Sequence, residues 1–85
     1  MKHAGPVALD ALEGLLAELR ALGVFKEKGR GVFYRGGRAA LHFHEDPAGL
    51  FADVRTGDAA DFERFAVTSN QDRRAFLKRL KAGLA

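Results

Sequence analysis

Val32-Phe33-Tyr34-Arg35-Gly36-Gly37-Arg38-Ala39-Ala40-Leu41-His42-Phe43-His44-Glu45-Asp46-Pro47-Ala48-Gly49-Leu50-Phe51-Ala52-Asp53-Val54-Arg55 is the stretch that decides the fold. It reads as three antiparallel strands joined by two turns. Gly36-Gly37 separates two β-rich runs, and a type I′ hairpin turn needs positive φ at both central residues, which glycine adopts without steric cost. That turn pairs Arg35 with Arg38, Phe33 with Ala40 and Gly31 with His42. A four-residue loop at 45–48 then pairs His44 with Gly49, His42 with Phe51 and Ala40 with Asp53. Cross-strand partners share a face. Val32, Tyr34, Ala39, Leu41, Phe43, Leu50, Ala52 and Val54 are therefore expected on one side of the sheet. Phe33, Arg35, Arg38, Ala40, His42, His44, Phe51, Asp53 and Arg55 are expected on the other. The two turns give the same faces although each is read separately, and a slip of one residue would scramble both.

Working outward, Pro6 suits a first helical turn, where a missing N–H costs nothing. Leu9, Leu12, Leu15, Leu16, Leu19 and Leu22 then recur at helical spacing, with Asp10, Glu13 and Glu18 off the stripe. This helix should end at Gly23, a left-handed cap position followed by the apolar Val24. Residues 1–5 read as a loose arm. Residues 24–27 suggest a short edge strand, its lysines discouraging association through the edge. After a loop at 56–61, residues 62–67 alternate as a further strand, with Phe65 and Val67 inward and Arg64 and Phe62 outward. Thr68-Ser69-Asn70-Gln71 has the pattern of a capping box built from the Thr hydroxyl and the Gln amide. A final helix is expected over 69–81, burying Phe76, Leu77 and Leu80.

The expected architecture is thus α+β in the order α-β-β-β-β-β-α, a single domain spanning residues 1–85. An antiparallel meander of four to five strands carries both helices on one face, since neither helix can bury its apolar stripe alone. The opposite face is left without cover.

Composition bounds what such a domain does. The chain of 85 residues is 47% hydrophobic and 29% charged, ordinary values for a folded globular domain. It has no cysteine, which excludes disulfides, thiolate chemistry and cysteine zinc sites. Asp10 and Glu13 interrupt the first apolar run, so no signal peptide is expected, and no run reaches membrane-spanning length. A cytoplasmic protein is the expectation. The formal charge of +3 permits an anionic partner without demanding one. Arg73, Arg74, Lys78, Arg79 and Lys81 gather on the last helix, a pattern that usually forms a solvated face.

The uncovered face carries the candidate chemistry. Phe33, Arg35, Arg38, His42, His44, Phe51, Asp53 and Arg55 form its expected ligand or interface surface. Neighbouring aromatics on one sheet face mark an interface, and a two-fold homodimer would cover both copies with one contact. A second reading is a divalent-metal site for a metal-assisted hydrolase, because histidines at i and i+2 of a strand share a face and Asp53 supplies an oxygen. The spacing Gly36, five residues, His42, one residue, His44 resembles the opening of the cupin metal motif. The glutamate that continues that motif would fall at Ala48 or Gly49, and the chain is short for an eight-stranded jelly roll. A third reading has aromatic and arginine side chains stacking single-stranded nucleic acid, aided by the basic last helix. No catalytic residue and no organic cofactor is assigned.

Overall fold

A computed structural model describes residues 1–56 and 59–84. Residues 57 and 58, inside the loop expected at 56–61, lie outside the described residues. The elements are β1 (Lys2–His3), α1 (Pro6–Ala11), α2 (Glu13–Ala21), β2 (Lys26–Gly29), β3 (Val32–Arg35), β4 (Arg38–Asp46), β5 (Gly49–Val54), β6 (Glu63–Ala66) and α3 (Asn70–Leu84). Strands β2 to β6 form an antiparallel meander in chain order, and β1 pairs with β4 beside them. The expected α+β class and the sheet flanked by N- and C-terminal helices are what the chain adopts. No helix among the described residues is long and apolar enough to cross a membrane.

The core lies on one side of the sheet. Leu12, Leu15, Leu16 and Leu19 from the first helical segment and Phe76, Leu77 and Leu80 from α3 pack with Leu41, Phe43, Ala52, Val54 and Val67. The first segment is one amphipathic stretch with an irregularity at Leu12 (φ −93°, ψ 2°), across which the Leu16 N–H still donates to the Leu12 carbonyl at 2.9 Å. Its end is as expected, with Gly23 at φ 71°. The α3 cap is a capping box shifted by one residue. The Asp72 N–H donates to Ser69 Oγ and the Ser69 N–H to Asp72 Oδ2, while the Thr68 hydroxyl bridges the backbone of Leu50.

The Gly36-Gly37 hairpin forms as expected, with φ 59° and 81° and Arg35 opposite Arg38. Beyond it the register departs from simple alternation. Tyr34 pairs with Ala39 but Phe33 pairs with Leu41, so β4 carries one extra residue at a bulge. The bulge turns Phe33 inward, where it is 1% exposed, instead of onto the uncovered face. Alternation takes Arg35 and Arg38 with it to the helix side of the sheet, and Val32 and Tyr34 move the other way. Glu27, opposite Phe33 on β2, likewise faces α2 and holds Arg20 there at 2.6 Å.

The second turn is shorter than expected. Asp46 pairs with Gly49, so the loop is Pro47-Ala48, tightened by the Ala48 N–H donating to Asp46 Oδ1 at 2.7 Å. The pairing consequently moves by two residues: His44 lies opposite Phe51, and His42 opposite Asp53. An even shift preserves faces. His42, His44, Phe51, Asp53 and Arg55 accordingly keep their expected side. Gly49 is required here, because its φ is 143° and a Cβ would collide with the Thr68 hydroxyl.

The loose arm expected at the N-terminus is instead part of the sheet. Lys2 pairs with Glu45 and His3 with His44, the Ala4 N–H donates to the Phe43 carbonyl at 3.0 Å, and the Gly5 N–H donates to Glu45 Oε2 at 2.6 Å. Strand β1 occupies the edge of β4 that β3 leaves free.

Two substitutions check this packing by chemical denaturation. Phe33→Ala should destabilise the domain by about 3–5 kcal/mol, the cost of emptying a fully buried aromatic site. Placement on the open face would make the same change nearly silent. Gly14→Ala should stabilise by about 0.5–1 kcal/mol, since a Cβ at this helical position meets nothing within 4 Å.

Candidate functional site

Three strands build the centre of the helix-free face. β4 supplies His42 and His44 at i and i+2, β5 supplies Asp53 opposite His42, and β6 supplies Arg64 opposite Asp53. The Asp53 side chain is 8% exposed, covered by these neighbours and not by a helix. Arg64 grips it as a fork, with Nε 2.7 Å from Oδ1 and Nη2 2.8 Å from Oδ2. This two-point, charge-assisted contact is the strongest polar interaction on the face.

The imidazoles approach the same carboxylate from the other side. His44 Nδ1 lies 3.1 Å from Asp53 Oδ2 and His42 Nε2 3.6 Å from it. Neither contact is a well-formed hydrogen bond. His44 Nδ1 is close enough but points off the line, and it remains a buried nitrogen without a hydrogen-bond partner. One nitrogen from each histidine and one Asp53 oxygen all lie within 4.8 Å of one another, which makes the three a potential metal-ligand set.

His3 joins them, from the segment whose sequence predicts a loose arm. Its ring centroid is 4.7 Å from that of His44 and 5.7 Å from that of His42, and the His42 and His44 rings are 4.8 Å apart. Pairing of β1 with β4 sets His3 opposite His44, and a two-residue strand has no periodicity by which a sequence reading finds it. Phe62, just before β6, meets the His42 ring edge-on at 4.8 Å, and the Arg55 guanidinium lies 4.6 Å from the Phe62 ring centre. Phe51 is half-buried on this face. Arg38 instead reaches the Ala59 carbonyl at 3.3 Å, and Phe33, Arg35 and Arg38 are not part of the cluster.

The electrostatics follow from this packing. The Arg64 hydrogen bonds hold the Asp53 carboxyl below its ordinary range against the opposing effect of burial, with Arg64, His44 and His42 adding through-space attraction. Burial pushes the His42 imidazole below its ordinary value of 6.5; His44, His3 and Arg64 push it the same way, and Asp53 opposes them. His42 is thus held neutral near pH 7, the form in which an imidazole nitrogen accepts a proton or a metal. A scan against protein-family models and comparisons with curated proteins and with solved structures find no match to this chain.

Both shifts predict acid sensitivity, in separate windows. The unfolded His42 takes up a proton as pH falls through about 6.5 while the folded one resists, so stability should decline from that point downward. The depressed Asp53 contributes stability above its unfolded value near about 4, lost as pH falls through its lower folded value. Urea midpoints measured in EDTA from about pH 7.5 to about pH 3 should show both limbs, with His42→Gln flattening the upper one. Arg64→Ala, which lets the folded Asp53 carboxyl rise toward its unfolded value, should flatten the lower limb.

Proposed function

We propose that this chain is a small binding and assembly module that works through the helix-free face of its sheet, with a second copy of itself as the partner. The observation that carries this reading is Phe62. It is 36% exposed and sits between the His42 ring and the Arg55 guanidinium, on a face that neither helix covers. Aromatic side chains and arginine are enriched at interface centres, where they supply large contact area at low entropic cost. Phe51, Phe62, Arg55 and Arg64 are that set. Rings and guanidinium groups on one surface are also self-complementary, because Arg55 or Arg64 of one copy can lie over Phe62 of the other about a two-fold axis.

The nucleic-acid reading retains Phe51 and Arg55 but loses Phe33, Arg35 and Arg38 to the other side of the sheet. A stacking platform without that aromatic ring and those two arginines is a poorer match to single-stranded bases.

Sedimentation equilibrium up to about 300 μM is the test, a range that covers Kd values weaker than those of ordinary specific interfaces. The expected result is a reversible dimer. Phe62→Ala should weaken it by about tenfold or more, as loss of an interface aromatic does, with the fold intact because Phe62 is not part of the core. A chain that stays monomeric across the whole range would overturn the reading.

A further inference from the structure

The sequence holds three histidines, at positions 3, 42 and 44, and the fold brings their rings together, with His42 and His44 against one buried carboxylate. We propose that His42, His44 and Asp53 form a transition-metal site at the centre of the helix-free face, with His3 delivered by β1 as the fourth ligand. The proposal is independent of self-association.

The donor geometry supports it. A tetrahedral ion with bonds of about 2.0–2.2 Å to nitrogen and oxygen needs ligand atoms about 3.3–3.5 Å apart. The Asp53 Oδ2 contacts, 3.1 Å to His44 Nδ1 and 3.6 Å to His42 Nε2, bracket that spacing. Oδ2 has two lone pairs, of which Arg64 Nη2 takes one at 2.8 Å, leaving the other for the histidine side. His44 Nδ1 is buried within 3.1 Å of an anion and still makes no hydrogen bond to it, which is costly for a neutral imidazole and natural for a ligand nitrogen.

Arg64 has a defined part in such a site. Its fork fixes the carboxylate plane and stands behind the ligand, as outer-shell partners do. Imidazole nitrogens with one carboxylate oxygen suit Zn²⁺, Co²⁺, Ni²⁺ or Cu²⁺ better than Mg²⁺ or Ca²⁺, which take mostly oxygen. His3 differs from the other ligands in being exposed and on the first strand of the chain. Its ring centroid is the farthest from His42, at 5.7 Å, so it closes on the ion by a small movement of β1.

The test uses the full chain without a purification tag, stripped with EDTA and titrated with Zn²⁺ by calorimetry and with Co²⁺ by visible absorption. One ion per chain, with the intense visible bands of four-coordinate Co²⁺, is expected. His44→Gln should lower affinity by more than the roughly 10–100-fold that loss of an outer-shell partner costs. His3→Ala should weaken binding less and change the Co²⁺ spectrum. Circular dichroism of each variant separates loss of a ligand from loss of the fold, and His42→Asn is the second variant should His44→Gln not fold. Nitrogen-15 shifts of the histidine side chains on adding Zn²⁺ give a readout independent of affinity. A folded wild-type chain that binds neither ion more tightly than about 100 μM would overturn the proposal, as would affinity unchanged in both the His42 and His44 variants.

Discussion

The structure depends on the period-two alternation of β4 from Leu41 onward. This nine-residue strand pairs with β1 and β3 along one edge and with β5 along the other. Leu41 and Phe43 are buried against the helices, each contributing about 1.5–3 kcal/mol relative to exposure. A slip of one residue would drive both imidazoles into that core and both apolar side chains out of it. The positions of His42 and His44 are therefore fixed by the energetics of the opposite face. Asp53 inherits its place in the same way, between the buried Ala52 and Val54 of β5.

Burial of Asp53 imposes the next constraint. An ionised carboxylate removed from water needs close partners, and the sheet supplies one directly across the strand pair in Arg64. That contact differs in kind from the ion pairs on the other side of the molecule. There Arg30 joins Asp10 and Glu13, and Arg20 joins Glu13 and Glu27, so that the first helical segment is tied to the β2–β3 hairpin. Apart from the half-buried Glu27, those side chains are exposed to water, where such pairs contribute little and are screened by salt. They orient the hairpin on the helices. The Asp53 cluster, in contrast, lies where the dielectric response is weaker, and the same charges there set protonation states.

Residue patterns made most of this fold legible, and the exceptions have physical reasons. Gly36-Gly37 located the first hairpin because its backbone conformation excludes most other residues. The helices were legible from their leucine and phenylalanine spacing. Glu45 and Asp46 look like loop residues although they continue β4, so the sequence predicts a turn two residues longer than Pro47-Ala48; the difference is even and leaves the faces unchanged. The bulge was invisible. Ala39 and Ala40 are small, apolar and acceptable on either face, so no residue marks where the alternation breaks, and unbroken alternation puts Phe33, Arg35 and Arg38 on the uncovered face. For the candidate cluster, His42, His44 and Asp53 followed from strand alternation, but His3 did not. Its position rests on pairing between residues about forty apart in the chain, which local sequence does not encode.

The helix-free face is better organised than a merely solvated sheet surface. An antiparallel sheet can turn one side to water, and such a side ordinarily carries flexible charged or hydroxyl side chains. Here the rings constrain one another: Phe62 meets His42, Arg55 lies over Phe62, and His44 is confined between His3 and Asp53. Side chains already held in one arrangement lose little freedom when something binds, so the cost of capture is largely met during folding. The exception is His3. Two paired residues, one backbone hydrogen bond from Ala4 and one from Gly5 to Glu45 hold its strand, far fewer contacts than hold β4 or β5. Short terminal strands open at low free-energy cost. The same cluster thus combines a floor fixed by the core beneath it with one short terminal strand, carrying His3, that few hydrogen bonds hold in place.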